Sequence, residues 1–156
     1  MRDLNHSKTL LIGIGNSGRK DDGLGWMLTE KVDESGRFLG DSVLRYQLQI
    51  EDAELISHYD AVIFVDACRE ELDHGFELRP CKAAPSFSFT THEIAPESIL
   101  HLCQDLYQKS PKAFLLLMEG KEWALEIGLS PRAAIHLEKV WHFLAEELLG
   151  SYEPNG

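Results

Sequence analysis

The chain has 156 residues, 44% of them hydrophobic and 26% charged. These are the proportions of one globular domain, long enough to bury roughly 70% of the surface its unfolded form exposes. Fifteen basic residues against 26 acidic ones leave a net charge of −11. That balance argues against a nucleic-acid binder and against docking on an anionic membrane, because both need a basic face. Metal cations and neutral or basic polypeptides remain as partners.

Three cysteines, Cys68, Cys81 and Cys103, cannot all pair within one chain, and none lies in a CxxC. A zinc ribbon or thioredoxin-like site is not expected, and a reducing compartment is the simplest reading. No apolar run approaches the roughly 18 residues of a membrane span. The polar start, residues 1–8, does not read as a signal peptide. A cytoplasmic protein is expected.

Residues 9–14 (TLLIGI) form a short apolar run and read as a buried strand. A helix is predicted over residues 22–37, with Leu24, Met27, Leu28 and Val32 at helical spacing and Gly36 near its end. Residues 42–48 read as a second strand and 51–58 as a short helix. Residues 61–65 (AVIFV) are the clearest central strand, stopping at Asp66. Residues 76–79 read as a fourth strand, antiparallel because only about ten residues separate it from the third, too few for a helical crossover.

A polar loop spans 81–95, and Pro96 opens a helix to about residue 109. Residues 113–118 (AFLLLM) form a fifth strand, with 123–127 as a candidate extension of the same sheet. Ser130 as N-cap, Pro131 beside it and Gly150 bracket a last helix, its buried stripe marked by Ile135, Val140, Leu144 and Leu148. Alternating strands and helices predict a three-layer α/β/α fold on a mixed, mostly parallel five-stranded sheet. Sites in such sheets lie beyond the carboxyl ends of the strands, where strand order switches.

Three candidates follow strand ends. Residues 13–18 (GIGNSG) fit GxGxxG, but the next residues are Arg-Lys-Asp-Asp-Gly. The helix therefore starts late, and Asp21 and Asp22 would repel a phosphate at its N-terminus. The ordinary reading of the two acids is charge favoured by the helix dipole. Asp66 follows the third strand, as a ligand or as a carboxylate that shapes its own turn. His92 lies in Thr90-Thr91-His92-Glu93, as a site residue or part of a local turn. His6, His58, His74, His101, His136 and His142 read as surface or packing residues. If they converge, Asp22, Asp66 and His92 give two carboxylates and one imidazole, a set for acid/base work or for a borderline divalent ion such as nickel or zinc.

The same residues carry a family resemblance. Residues 13–25 (GIGNSGRKDDGLG) resemble the GxGNxxxxDDGxG opening of the hydrogenase maturation endopeptidases. Val65-Asp66-Ala67 is similar to that family's mid-chain VDA, followed by Gly75-Phe76-Glu77. Thr91-His92-Glu93 resembles its histidine segment, and Gly128-Leu129-Ser130 its late Gly-Leu-Ser. The resemblance spans about residues 9–149. It implies a protease that removes the C-terminal tail of a nickel–iron hydrogenase large-subunit precursor after nickel insertion. It also implies that Asp22, Asp66 and His92 bind the metal. They are the candidate catalytic residues too, with the bound metal activating water or carbonyl, or Asp22 or Asp66 acting as general base on water. Nickel would arrive with the precursor, and no organic cofactor is expected. Three readings from other classes stand beside it: a thiol hydrolase with Cys68 as nucleophile and His92 as base, a metal chaperone without peptidase activity, and a nucleotide-binding module.

Overall fold

A computed structural model of the chain describes residues 1–85 and 94–150. Its centre is built by the most apolar runs. Strand β1 (Thr9–Ile14) is buried at every position, and β3 (Ala61–Cys68) is buried from Ala61 to Val65. Runs without a polar alternation belong in strands covered on both faces. β2 (Asp41–Arg45) lies beside β1, and β5 (Lys112–Glu119) beside β3, all four parallel. β4 (Phe76–Pro80) closes the far edge antiparallel to β5, as the short connection from β3 requires. The order is β2-β1-β3-β5-β4.

Alternate residues of each central strand face opposite layers. Leu11, Ile63, Val65, Leu116 and Met118 pack against Leu24, Leu28 and Val32 of α1 (Leu24–Glu34) and against Ala133, Leu137, Val140 and Leu144 of α4 (Pro131–Glu147). On the other face, Leu10, Ile12, Val62, Phe64, Leu115 and Leu117 meet Ala53 and Ile56 of α2 (Asp52–Ile56). They also meet Ile99, Leu100 and Cys103 of α3 (Pro96–Tyr107). The expected three-layer arrangement is therefore present. Among the described residues no helix is long and apolar enough to cross a membrane.

Four expectations are corrected. β2 stops at Arg45 because its partner β1 ends opposite it, at Ile14. Residues 123–127 form no strand. β5 already has β3 and β4 on its two sides, so this segment lies instead on residues 20–21, through Lys20 N–H to Glu126 O at 2.8 Å and Asp21 N–H to Glu122 O at 3.0 Å. Ile135 is 57% exposed. Five residues before Val140 at 3.6 per turn places it about 140° around the helix from the buried stripe. β3 continues through Asp66 to Cys68, paired with Leu117 to Glu119 of β5.

Candidate functional site

Strand order reverses direction between β1 and β3, so the crevice beyond their carboxyl ends is where a site is expected. Glycines set its shape. Gly15 has φ +146°, and a Cβ there would lie 2.0 Å from the carbonyl oxygen of Asp22. The turn Lys20–Gly23 therefore folds back onto the end of β1, where Asn16 N–H donates to Asp22 O at 3.0 Å. Gly25, in the first turn of α1, touches both strands: a Cβ would meet Ile14 O at 2.4 Å and Val65 O at 2.7 Å. Any larger residue would lift α1 off the strand ends.

This close packing brings two of the three expected residues to one rim. Asp22 sits two residues after Lys20 in the turn against β1, half-buried, and its Oδ1 lies near Gly15. Asp66 sits one residue past the carbonyl that Gly25 touches, also half-buried, with Oδ1 accepting the N–H of Ala67 at 2.8 Å. His92 lies outside the described residues, as do Thr90, Thr91 and Glu93. Among the described residues, no group of three His, Cys, Asp or Glu side chains gathers to hold a metal. The two acids present carboxylate oxygens at this rim.

The adjacent acids do different work. Asp21 is fully buried, and its carboxylate points at the connection from β5 to α4. Oδ2 accepts the N–H groups of Lys121 and Glu122 at 2.6 and 2.9 Å and the Ser130 hydroxyl at 2.8 Å. Oδ1 accepts the Ser130 N–H at 2.8 Å. Burial pushes the Asp21 carboxyl up, but the N–H donors of Lys121, Ser130 and Glu122 and the Ser130 hydroxyl prevail and hold it below the ordinary value. Asp21 thus fastens the β5–α4 connection and the N-cap of α4, where Ser130 Oγ accepts the Ala133 N–H. A helix-dipole role for both acids does not describe this arrangement. The GxGxxG reading also loses its geometry. Gly18 lies six residues before α1, in a turn closed by Asn16 Oδ1 at 2.9 Å, so it does not open the helix as a dinucleotide fingerprint requires.

Glu119 was missed by the sequence reading. It ends β5 beside Cys68, is 2% exposed, and accepts the Leu72 N–H at 2.7 Å. Lys121 Nζ and Arg132 Nε lie 3.3 and 3.7 Å from its other oxygen. The Leu72 N–H, and after it the Lys121 ammonium, hold its carboxyl below the ordinary value despite burial. The rule that singled out Asp66, the first polar residue after an apolar run, would have found it. His136 packs beneath, its Nδ1 2.9 Å from Glu119 O, as the packing reading expects. Cys68 is held protonated, first by burial and then by the carboxylates of Glu70, Asp66 and Glu119.

No protein-family model and no curated protein matches the sequence. Solved structures do match. The nickel–iron hydrogenase maturation protease HycI of Thermococcus kodakarensis has a TM-score of 0.69 at 19% identity, over 93% of this chain and 96% of that one. The maturation endopeptidase HybD of Escherichia coli has a TM-score of 0.63 at 19% identity, over 89% and 93%. The endopeptidase HycI of Escherichia coli has a TM-score of 0.64 at 18% identity, over 94% and 99%. Over nearly its whole length, the chain has the fold of the hydrogenase maturation endopeptidases.

Proposed function

We propose that the protein is an endopeptidase that removes the C-terminal tail of a nickel–iron hydrogenase large-subunit precursor once nickel has been inserted. The observation that carries the reading is the placement of Asp22 and Asp66 at one rim of the sheet, by the turn folded onto Gly15 and by Gly25 wedged against Ile14 and Val65, in a chain with this fold. Nickel is part of the substrate. Asp22, Asp66 and His92 offer two oxygens and a nitrogen, a donor set suited to nickel. A precursor without nickel gives these side chains nothing to hold, so cleavage waits on loading.

A divalent ion held there would supply Lewis acidity, polarising the scissile carbonyl or lowering the pKa of an attacking water. The residues of this chain orient the loaded segment at the strand ends. One of the two carboxylates is placed to take the proton of that water. Hydroxide adds to the carbonyl carbon, the C–N bond breaks, and the proton passes to the departing amine. Its proposed compartment is the cytoplasm, in keeping with three cysteines that cannot all pair within the chain. A thiol mechanism through Cys68 is disfavoured, because burial and the neighbouring carboxylates keep its sulfur protonated.

The test is incubation of the protein with nickel-loaded and nickel-free precursor, read by intact mass. Shortening of the loaded form alone is expected. Tight nickel binding by the isolated protein with no shortening would mean a chaperone, and cleavage of both forms would refute metal recognition.

A further inference from the structure

The connection from β5 to α4, residues 121–129, has neither helix nor strand, yet it is fastened along its length. Asp21 accepts the N–H groups of residues 121, 122 and 130. Lys20 N–H donates to Glu126 O, and the Lys20 ammonium lies 3.6 and 3.1 Å from the carboxylates of Glu122 and Glu126. The Arg69 guanidinium stacks over Trp123 at 4.5 Å, and Lys121 lies 3.8 Å from Glu71. The two connections that follow β3 and β5 therefore form one continuous lip. On it, Leu125 is 79% exposed and Ile127 is 90% exposed. They flank Glu126, whose carbonyl is bonded to the backbone two residues before Asp22.

A flexible loop that happens to expose two aliphatics needs no explanation. A loop pinned by a buried carboxylate, three ion pairs and a stacked guanidinium holds them outward in one place, beside the candidate site. Glu70, Glu71 and Asp73 are exposed on the adjoining connection, and acids outnumber bases along the lip.

We propose that this lip docks the substrate polypeptide. Leu125 and Ile127 take aliphatic side chains of an extended segment, and Glu70, Glu71 and Asp73 face lysine or arginine residues next to them. The inference rests on the protease reading and names how that substrate is gripped. The test compares the wild type, the double variant Leu125→Ser/Ile127→Ser, and Leu39→Ser as a control. Leu39 is 65% exposed, just before β2 and so at the opposite end of the sheet.

Precursor binding and cleavage kinetics are both measured on nickel-loaded precursor. The double variant should melt like the wild type, raise Kd and KM at least about tenfold, as expected when two aliphatics lose their burial, and leave kcat within about twofold. Glu70→Lys/Glu71→Lys should also raise KM and remove its dependence on salt. Unchanged Kd and KM in the double variant would overturn the lip while leaving the protease reading intact. A wild type that binds precursor but never cleaves it would overturn the protease reading, and the binding comparison would still decide the lip.

Discussion

Asp21 and Asp22 are neighbours in sequence, and the structure assigns them opposite consequences. Replacing Asp21 by Asn removes a charge that receives four hydrogen bonds from Lys121, Glu122 and Ser130. An amide offers one oxygen. If that oxygen keeps the three donors now on Oδ2, the amide NH2 faces the buried Ser130 N–H, donor against donor. If it flips, the N–H groups of Lys121 and Glu122 lose their acceptor. Charge-assisted bonds contribute about 1.5–3 kcal/mol each, and a buried orphan costs about 1–3 kcal/mol. The exposed backbone at 121 and 122 recovers some of this from water, so the expected loss is about 2–4 kcal/mol. For a chain this long that is a fall of about 5–12 °C in Tm.

Asp22→Asn, at the half-buried crevice, should change stability by less than about 1 kcal/mol. Thermal melts followed by circular dichroism, with urea titrations beside them, measure both. A Tm for Asp21→Asn within about 2 °C of the wild type would refute the assignment, as would equal losses in the two variants. The pH dependence has a fixed sign. The folded-state carboxyls of Asp21 and Glu119 lie below their unfolded values. The stability they add is complete above the unfolded values and fades as pH falls through the folded ones. The gap between wild type and Asp21→Asn should therefore close in acid.

Asp22→Asn, Asp66→Asn and His92→Ala should each keep a cooperative melt and abolish shortening of nickel-loaded precursor by intact mass. Full activity in all three would remove these residues from the mechanism. Gly25→Ala forces a methyl to within 2.4 Å of Ile14 O and 2.7 Å of Val65 O. A stability loss of about 1–3 kcal/mol is expected, with kcat/KM down about a hundredfold because the two acids shift, and a wild-type melt would show that the strand ends have room. Iodoacetamide should react more slowly with Cys68 than with free cysteine and leave processing intact, since the thiol is held up by burial and carboxylates. Rapid alkylation with loss of cleavage would restore the thiol mechanism.

The layers were legible because their signals were local and redundant. β3 announced itself by a β-branched and aromatic run, the edge position of β4 by a connection too short for a helix, and α4 by Ser130 and Pro131 at its start. Asp66 was legible for the same reason, as the first polar residue after an apolar run. Ile135 was a miscount of helical phase within α4, but two of the failures involve partners distant in sequence. Residues 123–127 alternate like a strand, and nothing local reveals that both sides of β5 are already taken. Asp21 looks like a helix-start charge until Ser130, 109 positions away, is found against it. Glu119, by contrast, needed only the rule already applied to Asp66; its bond to the Leu72 N–H across the rim is what the sequence does not show.

The division of labour between the two aspartates would let the proposed substrate grip and the proposed metal recognition share very little polypeptide. The turn Lys20–Gly23 has one carboxylate directed inward, which fixes the connection bearing Leu125 and Ile127, and the next at the crevice beside Gly15. One peptide bond separates the anchor of the docking lip from a proposed ligand. A segment seated on the lip is thereby placed relative to the acids by short covalent geometry rather than by a flexible link, which is what positioning catalysis requires. The fold supplies this with Asp66 carried by the last residues of β3 and Asp22 by the turn ahead of α1. β1 and β3 end side by side at the switch in strand order, Gly25 lets α1 close onto them, and the connections after β3 and β5 are tied together by Glu119 and by Arg69 over Trp123.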